Sequence, residues 1–425
     1  MLQNYILQAE KDCEPIFKNI EKMVEYNQKR VLDAFKNAEI GDFHFNSTDG
    51  YGYDDSGRDG LEAIYADVFG GEDALVRPQI VSGTHAIATA LYSLLRPGDE
   101  LVYITGSPYD TLEEVIGKRG NSAGSLKDYQ VLYNEVDLLP DGSIDYEGIK
   151  RTISDKTKVV GIQRSKGYED RPSFTIQEIE RMVQCVKAIN KDIIVFVDNC
   201  YGEFVEEKEP LHVGADIMAG SLIKNPGGGL VRAGGYIVGK SELIERAANR
   251  LTAPGLGKEA GATLHTLQEM YQGFFLAPHV VGEALKGAVF TARLLELIGI
   301  KTTPKYNEKR TDIIQSITFY NEENMIEFCQ QIQANSPINS YVAPYPSEMP
   351  GYDEKVIMAA GTFIQGSSIE LSIDGPIKHP YIAFMQGGLT YAHVKIAVTN
   401  SLTKMIEQGK IELPNKENEE VLQEK

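Results

Sequence analysis

Lys224 stands in the run Ser221-Leu222-Ile223-Lys224-Asn225-Pro226-Gly227-Gly228-Gly229, downstream of an apolar run over residues 193–197 that ends on Asp198. A lysine amine can condense with an aldehyde to form a Schiff base. A carboxylate ending a buried strand can pair with a protonated ring nitrogen. In this order the two residue types point to a pyridoxal phosphate site, with Lys224 on the aldehyde and Asp198 on the pyridinium nitrogen. A carboxylate about 3 Å from that nitrogen supplies roughly 5 kcal/mol of gross attraction at an effective dielectric near 20. That raises the ring-nitrogen pKa by about three units before desolvation is counted. The plain alternatives are a surface lysine in a glycine loop and an aspartate that forms a turn, so companion segments must decide.

The first companion is Val81-Ser82-Gly83-Thr84-His85-Ala86, where a strand ends and an apolar helix begins. Such a turn aims backbone N–H groups and the positive helix end at an anion, and phosphate is the usual occupant. Gly83 lets the backbone approach closely and Thr84 adds a hydroxyl; an ordinary capped helix start is the alternative. The second is Gly106-Ser107-Pro108-Tyr109-Asp110, which places Tyr109 at a strand's C-terminal end, where its ring can stack on a flat cofactor or simply pack. In open α/β sheets ligands bind at those strand ends. Ser221, three residues before Lys224, can reach a phosphate while the lysine reaches the aldehyde. Gly227 to Gly229 would admit a neighbouring chain or a substrate.

The elements that must position these groups follow from periodicity. Residues 1–40 read as a helix, then comes a Gly-, Asp- and Tyr-rich stretch over 41–60, and a helix over 61–69. Strand-like runs at 75–81, 100–104, 159–162 and 193–197 alternate with helical ones at 86–95, 112–116 and 176–189. That alternation predicts an α/β fold with a mostly parallel sheet flanked by helices. A short strand at 236–238 precedes helices up to about residue 298, and short strands around a helix at 322–333 form a smaller α+β domain ending in a helix at 390–409. The expected division is an N-terminal helical arm (1–74), a large domain (75–298) and a small C-terminal domain (299–425), with a polar, frayed end from residue 414. Gly234-Gly235-Tyr236-Ile237-Val238-Gly239-Lys240-Ser241 matches a nucleotide P-loop literally. The strand-forming residues fall inside the supposed loop, so a strand, a turn and a helix capped by Ser241 are expected instead.

Bulk properties narrow the partners. A formal net charge of −19 over 425 residues argues against nucleic acid or an anionic membrane as the main partner. Cys13, Cys185, Cys200 and Cys329 form no C-x-x-C, and the seven histidines form no metal-binding spacing, so no metal site is expected. The N-terminus has no signal-peptide pattern and no apolar stretch approaches membrane-spanning length, which predicts a reduced, cytoplasmic protein.

Taken together these segments resemble the fold type I pyridoxal phosphate enzymes, and within them the cystathionine lyase and methionine γ-lyase group. The closer resemblance is to the bacterial aluminium-resistance or methionine γ-lyase-like family. It is carried by Gly52-Tyr53, the segments 81–86 and 162–168, Asp198-Asn199-Cys200-Tyr201-Gly202-Glu203, the segments 221–229 and 365–372, and Gln386-Gly387-Gly388-Leu389-Thr390-Tyr391. The resemblance implies a catalytic set of Lys224, Tyr109 and Asp198. Its implied cofactor contacts are Ser82, Gly83, Thr84, His85, Tyr109, Asp198, Cys200, Ser221, Lys224 and Tyr53. Tyr53 and Arg58 are candidates to reach a neighbouring subunit's phosphate from the N-terminal dimer-contact segment. It further implies a homotetramer of dimers with shared sites and a carbon–sulfur lyase performing β- or γ-elimination on a sulfur-containing amino acid. Ile223 stands where the lyase group carries threonine, and the substrate-carboxylate ligand is open between Arg164, Arg171 and Lys378. Transamination, side-chain cleavage, or a stress-related cofactor-binding role with low turnover are the alternatives.

Overall fold

The apolar run before Asp198 becomes the middle strand of a seven-stranded sheet. The computed structural model describes residues 2–121, 123–349 and 352–414. The elements in chain order are α1 (Leu2–Asn37), α2 (Ser56–Phe69), β1 (Asp73–Arg77), α3 (Gly83–Leu94), β2 (Glu100–Tyr103), α4 (Asp110–Ile116), β3 (Leu132–Glu135), α5 (Tyr146–Thr152), β4 (Thr157–Gln163), α6 (Ile176–Ile189), β5 (Ile194–Asp198), β6 (Ile217–Ser221), β7 (Gly235–Gly239), α7 (Ser241–Leu251) and α8 (Leu267–Leu297). After these come β8 (Lys301–Thr303), β9 (Ile314–Thr318), α9 (Glu322–Ala334), β10 (Val356–Ala359), β11 (Ser372–Pro376), β12 (Ile382–Gln386) and α10 (Tyr391–Glu407).

The large sheet has the order β1-β7-β6-β5-β4-β2-β3. Strands β3, β2, β4, β5 and β6 run parallel, and β7 and β1 are antiparallel to their neighbours. The mostly parallel sheet expected from the strand–helix alternation is therefore present. β5 and β6 are buried along their whole length, as strands covered by helices on both faces must be. Two glycines in this sheet make room for rings: a Cβ on Gly161 would sit 2.6 Å from the Tyr103 ring, and one on Gly220 would sit 2.6 Å from the Tyr236 ring. The second sheet has the order β10-β11-β12-β9-β8 and is antiparallel throughout.

Several elements differ from expectation. α2 begins at Ser56, five residues early, because Asp55 caps it by accepting the Arg58 N–H at 2.8 Å. β3, α5 and β6 were not foreseen. β6 reads Ile-Met-Ala-Gly-Ser, with little β-branched signal, and forms because burial between β5 and β7 compensates for weak propensity. In the P-loop-like run, β7 occupies the supposed loop and Lys240, not Ser241, is the cap residue of α7. The Lys240 amine pairs with Asp216 at 2.6 Å, so it is engaged away from any phosphate.

The chain divides into two compact units, residues 25–279 and residues 1–24 with 280–425. The boundaries expected from the sequence are 74/75 and 298/299. The cuts fall inside α1 and α8, continuous helices in which no composition break marks them. The expected frayed end lies, beyond Pro414, outside the described residues.

Candidate active site

Four parallel strand ends bring the candidate residues together within residues 25–279. Gln163 of β4, Asp198 of β5 and Ala219 of β6 are register neighbours, and β6 ends two residues later at Ser221. Asp198 is buried, and its Oδ1 accepts the Cys200 backbone N–H at 3.1 Å. Burial raises its pKa, while Lys224, the Cys200 N–H and S–H, and Arg171 pull it down. Lys224 follows β6, with its Nζ 4.1 Å from the centroid of the Tyr201 ring. Burial works against its ammonium, but Cys200, Tyr201, Asp198 and Tyr109 outweigh that and hold its pKa well above the ordinary lysine value.

The turn before α3 closes onto the same place. Ser82 caps the helix, its Oγ accepting the His85 N–H at 3.1 Å. A Cβ on Gly83 would stand 3.2 Å from the Ser221 Cβ and 3.5 Å from the Cys200 Sγ. The missing side chain thus leaves a cradle bounded by the α3 N-terminus, Cys200 and Ser221. Tyr109 donates its hydroxyl to Thr84 Oγ1 at 2.9 Å, and its backbone N–H donates to Gln163 Oε1 at 2.8 Å. Burial, helped by Asp198, pushes the Tyr109 phenol well up, so it is a proton donor rather than a base. Lys224, Asp198, Tyr109, Thr84, Gly83, Cys200 and Ser221 therefore form one connected cluster. Ser82 and His85 serve it as the cap, His85 Nδ1 accepting the Val81 N–H at 3.2 Å. Burial, then Arg250, lowers the His85 pKa.

The remaining candidates have these partners within the chain. Tyr53 is half-exposed, and its ring stacks on Tyr51 at 5.3 Å. Arg58 is buried, with Nη1 donating to the Gly52 carbonyl at 2.6 Å and the Gly261 carbonyl at 3.3 Å. Its guanidinium ties loops of its own chain together. Arg164 is fully buried against Asn199 at 2.8 Å, Glu209 at 3.2 Å and Glu206 at 3.3 Å. Arg171 donates to the Ser165 carbonyl at 2.6 Å, and its charge is felt at Asp198. Lys378 belongs to the other unit. The glycine run after Lys224 admits its own chain rather than a partner: a Cβ on Gly228 would lie 2.3 Å from the Gly273 carbonyl oxygen.

Two residues of the site carried no role in the sequence. Tyr201 lies under Lys224 with a left-handed φ of 71°. Glu203, fully buried, accepts the Tyr236 hydroxyl at 2.7 Å on Oε1, and its carbonyl accepts Asn225 Nδ2 at 3.0 Å. Its Oε2, the Tyr65 hydroxyl and Asn225 Oδ1 are buried without partners among the described residues. Burial pushes the Glu203 carboxyl up to about 8.

Among the described residues no group of three or more His, Cys, Asp or Glu side chains could hold a metal, and no helix is long and apolar enough to cross a membrane. Known proteins give this cluster a context. The uncharacterized protein YnbB of Bacillus subtilis is 62% identical over 409 residues, covering 96% of this chain and 97% of its own. A carbon–sulfur lyase involved in aluminum resistance from Clostridium novyi superimposes with a TM-score of 0.91 at 50% identity, covering 95% of this chain and 96% of its own. A Campylobacter jejuni protein solved with N′-pyridoxyl-lysine-5′-monophosphate shares the fold at a TM-score of 0.55 and 17% identity, covering 81% of this chain and 85% of its own. The architecture is that of the fold type I pyridoxal phosphate enzymes. The sequence matches the methionine gamma-lyase family over residues 2–406, and the chain belongs to that family.

Proposed function

We propose that the protein is a pyridoxal phosphate-dependent carbon–sulfur lyase that eliminates a thiol from the β- or γ-carbon of a sulfur-containing amino acid. The observation that carries the reading is the convergence of Lys224, Asp198 and Tyr109 with the Gly83 cradle at the ends of parallel strands. The residues fit the cofactor. An N–H-rich helix start with Ser82, Gly83 and Thr84, joined by Ser221, suits a phosphate. A buried carboxylate suits a protonated ring nitrogen, and a half-buried tyrosine suits a ring face. When bound, pyridoxal phosphate supplies an aldehyde for amines and an electron-poor ring that accepts the electron pair left at the substrate α-carbon.

The chain's own residues do the rest. Asp198 keeps a proton at the ring nitrogen, and the Cys200 N–H and S–H orient its carboxylate. The Lys224 amine would take the α-proton of the substrate. Tyr109, held neutral, delivers a proton to the departing sulfur. The aluminum-resistance description of the Clostridium novyi protein supports a stress context without naming a substrate.

The test is turnover by the purified, cofactor-loaded protein with L-cystathionine, L-methionine and L-cysteine in turn. The proposal expects a 2-keto acid, ammonia and a thiol (a sulfide from cysteine) in equal amounts from at least one of them. Amino transfer to an added keto acid, or aldehyde release, with none of the three products would reject elimination.

A further inference from the structure

Tyr201 adopts φ 71°, a left-handed conformation that a bulky L-residue occupies at a cost, and its ring lies 4.1 Å beneath the Lys224 Nζ. Such a strained residue persists where its side chain is needed in one place. Here the backbone turns between Asp198 and Glu203, and the turn delivers an aromatic face to the Lys224 amine. An ammonium over an aromatic face is held by the ring quadrupole, most strongly where water is excluded. We propose that Tyr201 is a positioning residue for Lys224: its ring holds the lysine side chain in place when the amine carries a proton. The inference rests on the lyase reading for its use: the ammonium formed when Lys224 takes a proton from the substrate is the species the ring would hold.

Other groups also face this amine. Asp198 comes from the end of β5, Cys200 and Glu203 from the turn after it, and Tyr109 from the start of α4. The experiment must separate the ring from them. Trace acetylation of the full-length protein across pH, with the Lys224 peptide quantified by mass spectrometry, reads the amine's titration without any cofactor. Tyr201→Gly and Tyr201→Asn remove the ring while suiting a left-handed backbone, and Tyr201→Phe keeps the ring. The midpoint should fall by about one pH unit in both ring-less variants and by clearly less in Tyr201→Phe, which loses only the phenol. Tyr201→Gly should also melt no lower than the parent, because it relieves the strained φ. An unmoved midpoint in the ring-less variants, or an equal fall in Tyr201→Phe, overturns the proposal. A parallel arm, borohydride reduction after incubation with pyridoxal phosphate, reports whether the cofactor joins Lys224. That arm tests the lyase reading separately, since the acetylation result stands whether or not the cofactor attaches.

Discussion

Glu203→Gln should remove a pH-dependent destabilisation. The Glu203 carboxyl is fully buried, its Oε1 accepts from Tyr236, and its Oε2 has no partner among the described residues. Burial lifts its pKa from 4.5 to about 8, partly offset by the Tyr236 hydrogen bond and the Lys224 charge. The folded protein therefore holds this proton more tightly than the unfolded chain. Below pH 4.5 the group is neutral in both states and costs nothing. As pH rises toward 8 the unfolded chain ionises freely while the folded one resists, and stability falls through that window. At about 1.36 kcal/mol per unit the full loss is about 5 kcal/mol. Glutamine keeps the acceptor for Tyr236, adds an N–H where the empty Oε2 now sits, and does not titrate. Urea unfolding of both proteins at pH 5, 6.5 and 8 gives the difference curve, in which other titrating groups largely cancel. The variant should gain several kcal/mol over the parent between pH 5 and 8. Parallel pH curves would refute the assignment of a neutral Glu203 behind Lys224.

The other expectations follow from the same cluster. Asp198→Asn should leave the cofactor on Lys224 but cut turnover by about a hundredfold or more, since an amide cannot hold the ring-nitrogen proton; turnover within threefold of the parent would contradict that role. Gly83→Ala should weaken cofactor affinity by about tenfold, as the new methyl crowds Ser221 and Cys200, without lowering the unfolding midpoint measurably. Gly161→Ala should cost about 1–3 kcal/mol of stability by pushing the Tyr103 ring, read from denaturant midpoints.

The grouping of several candidate residues was legible because their signals are local. An apolar run ending in Asp198, a small-residue turn at Ser82 to Thr84, and a lysine followed by glycines each keep their meaning without knowledge of neighbours. α6 could be placed over 176–189 because its apolar positions repeat at helical spacing, and the structure adds a capping box from Thr175 and Glu178. β6 was invisible because Met218, Ala219 and Gly220 carry no strand signal, and its place is set by β5 and β7. Tyr201 and Glu203 were visible only as parts of a familiar segment. A left-handed tyrosine and a buried glutamate whose carboxyl is pushed up by burial are products of tertiary packing, which residue order does not display. The same-chain partners of Arg58 and Arg164 were not legible: residue order does not show that their guanidinium groups bond to carbonyls or carboxylates of their own chain.

The most direct measurement is borohydride reduction of the purified protein after incubation with pyridoxal phosphate, followed by peptide mapping. The account predicts a violet-absorbing species that bleaches on reduction and leaves one pyridoxyl group, on Lys224, with both absent in Lys224→Ala. A reducible species that survives Lys224→Ala, or a label mapping to another lysine, would contradict it.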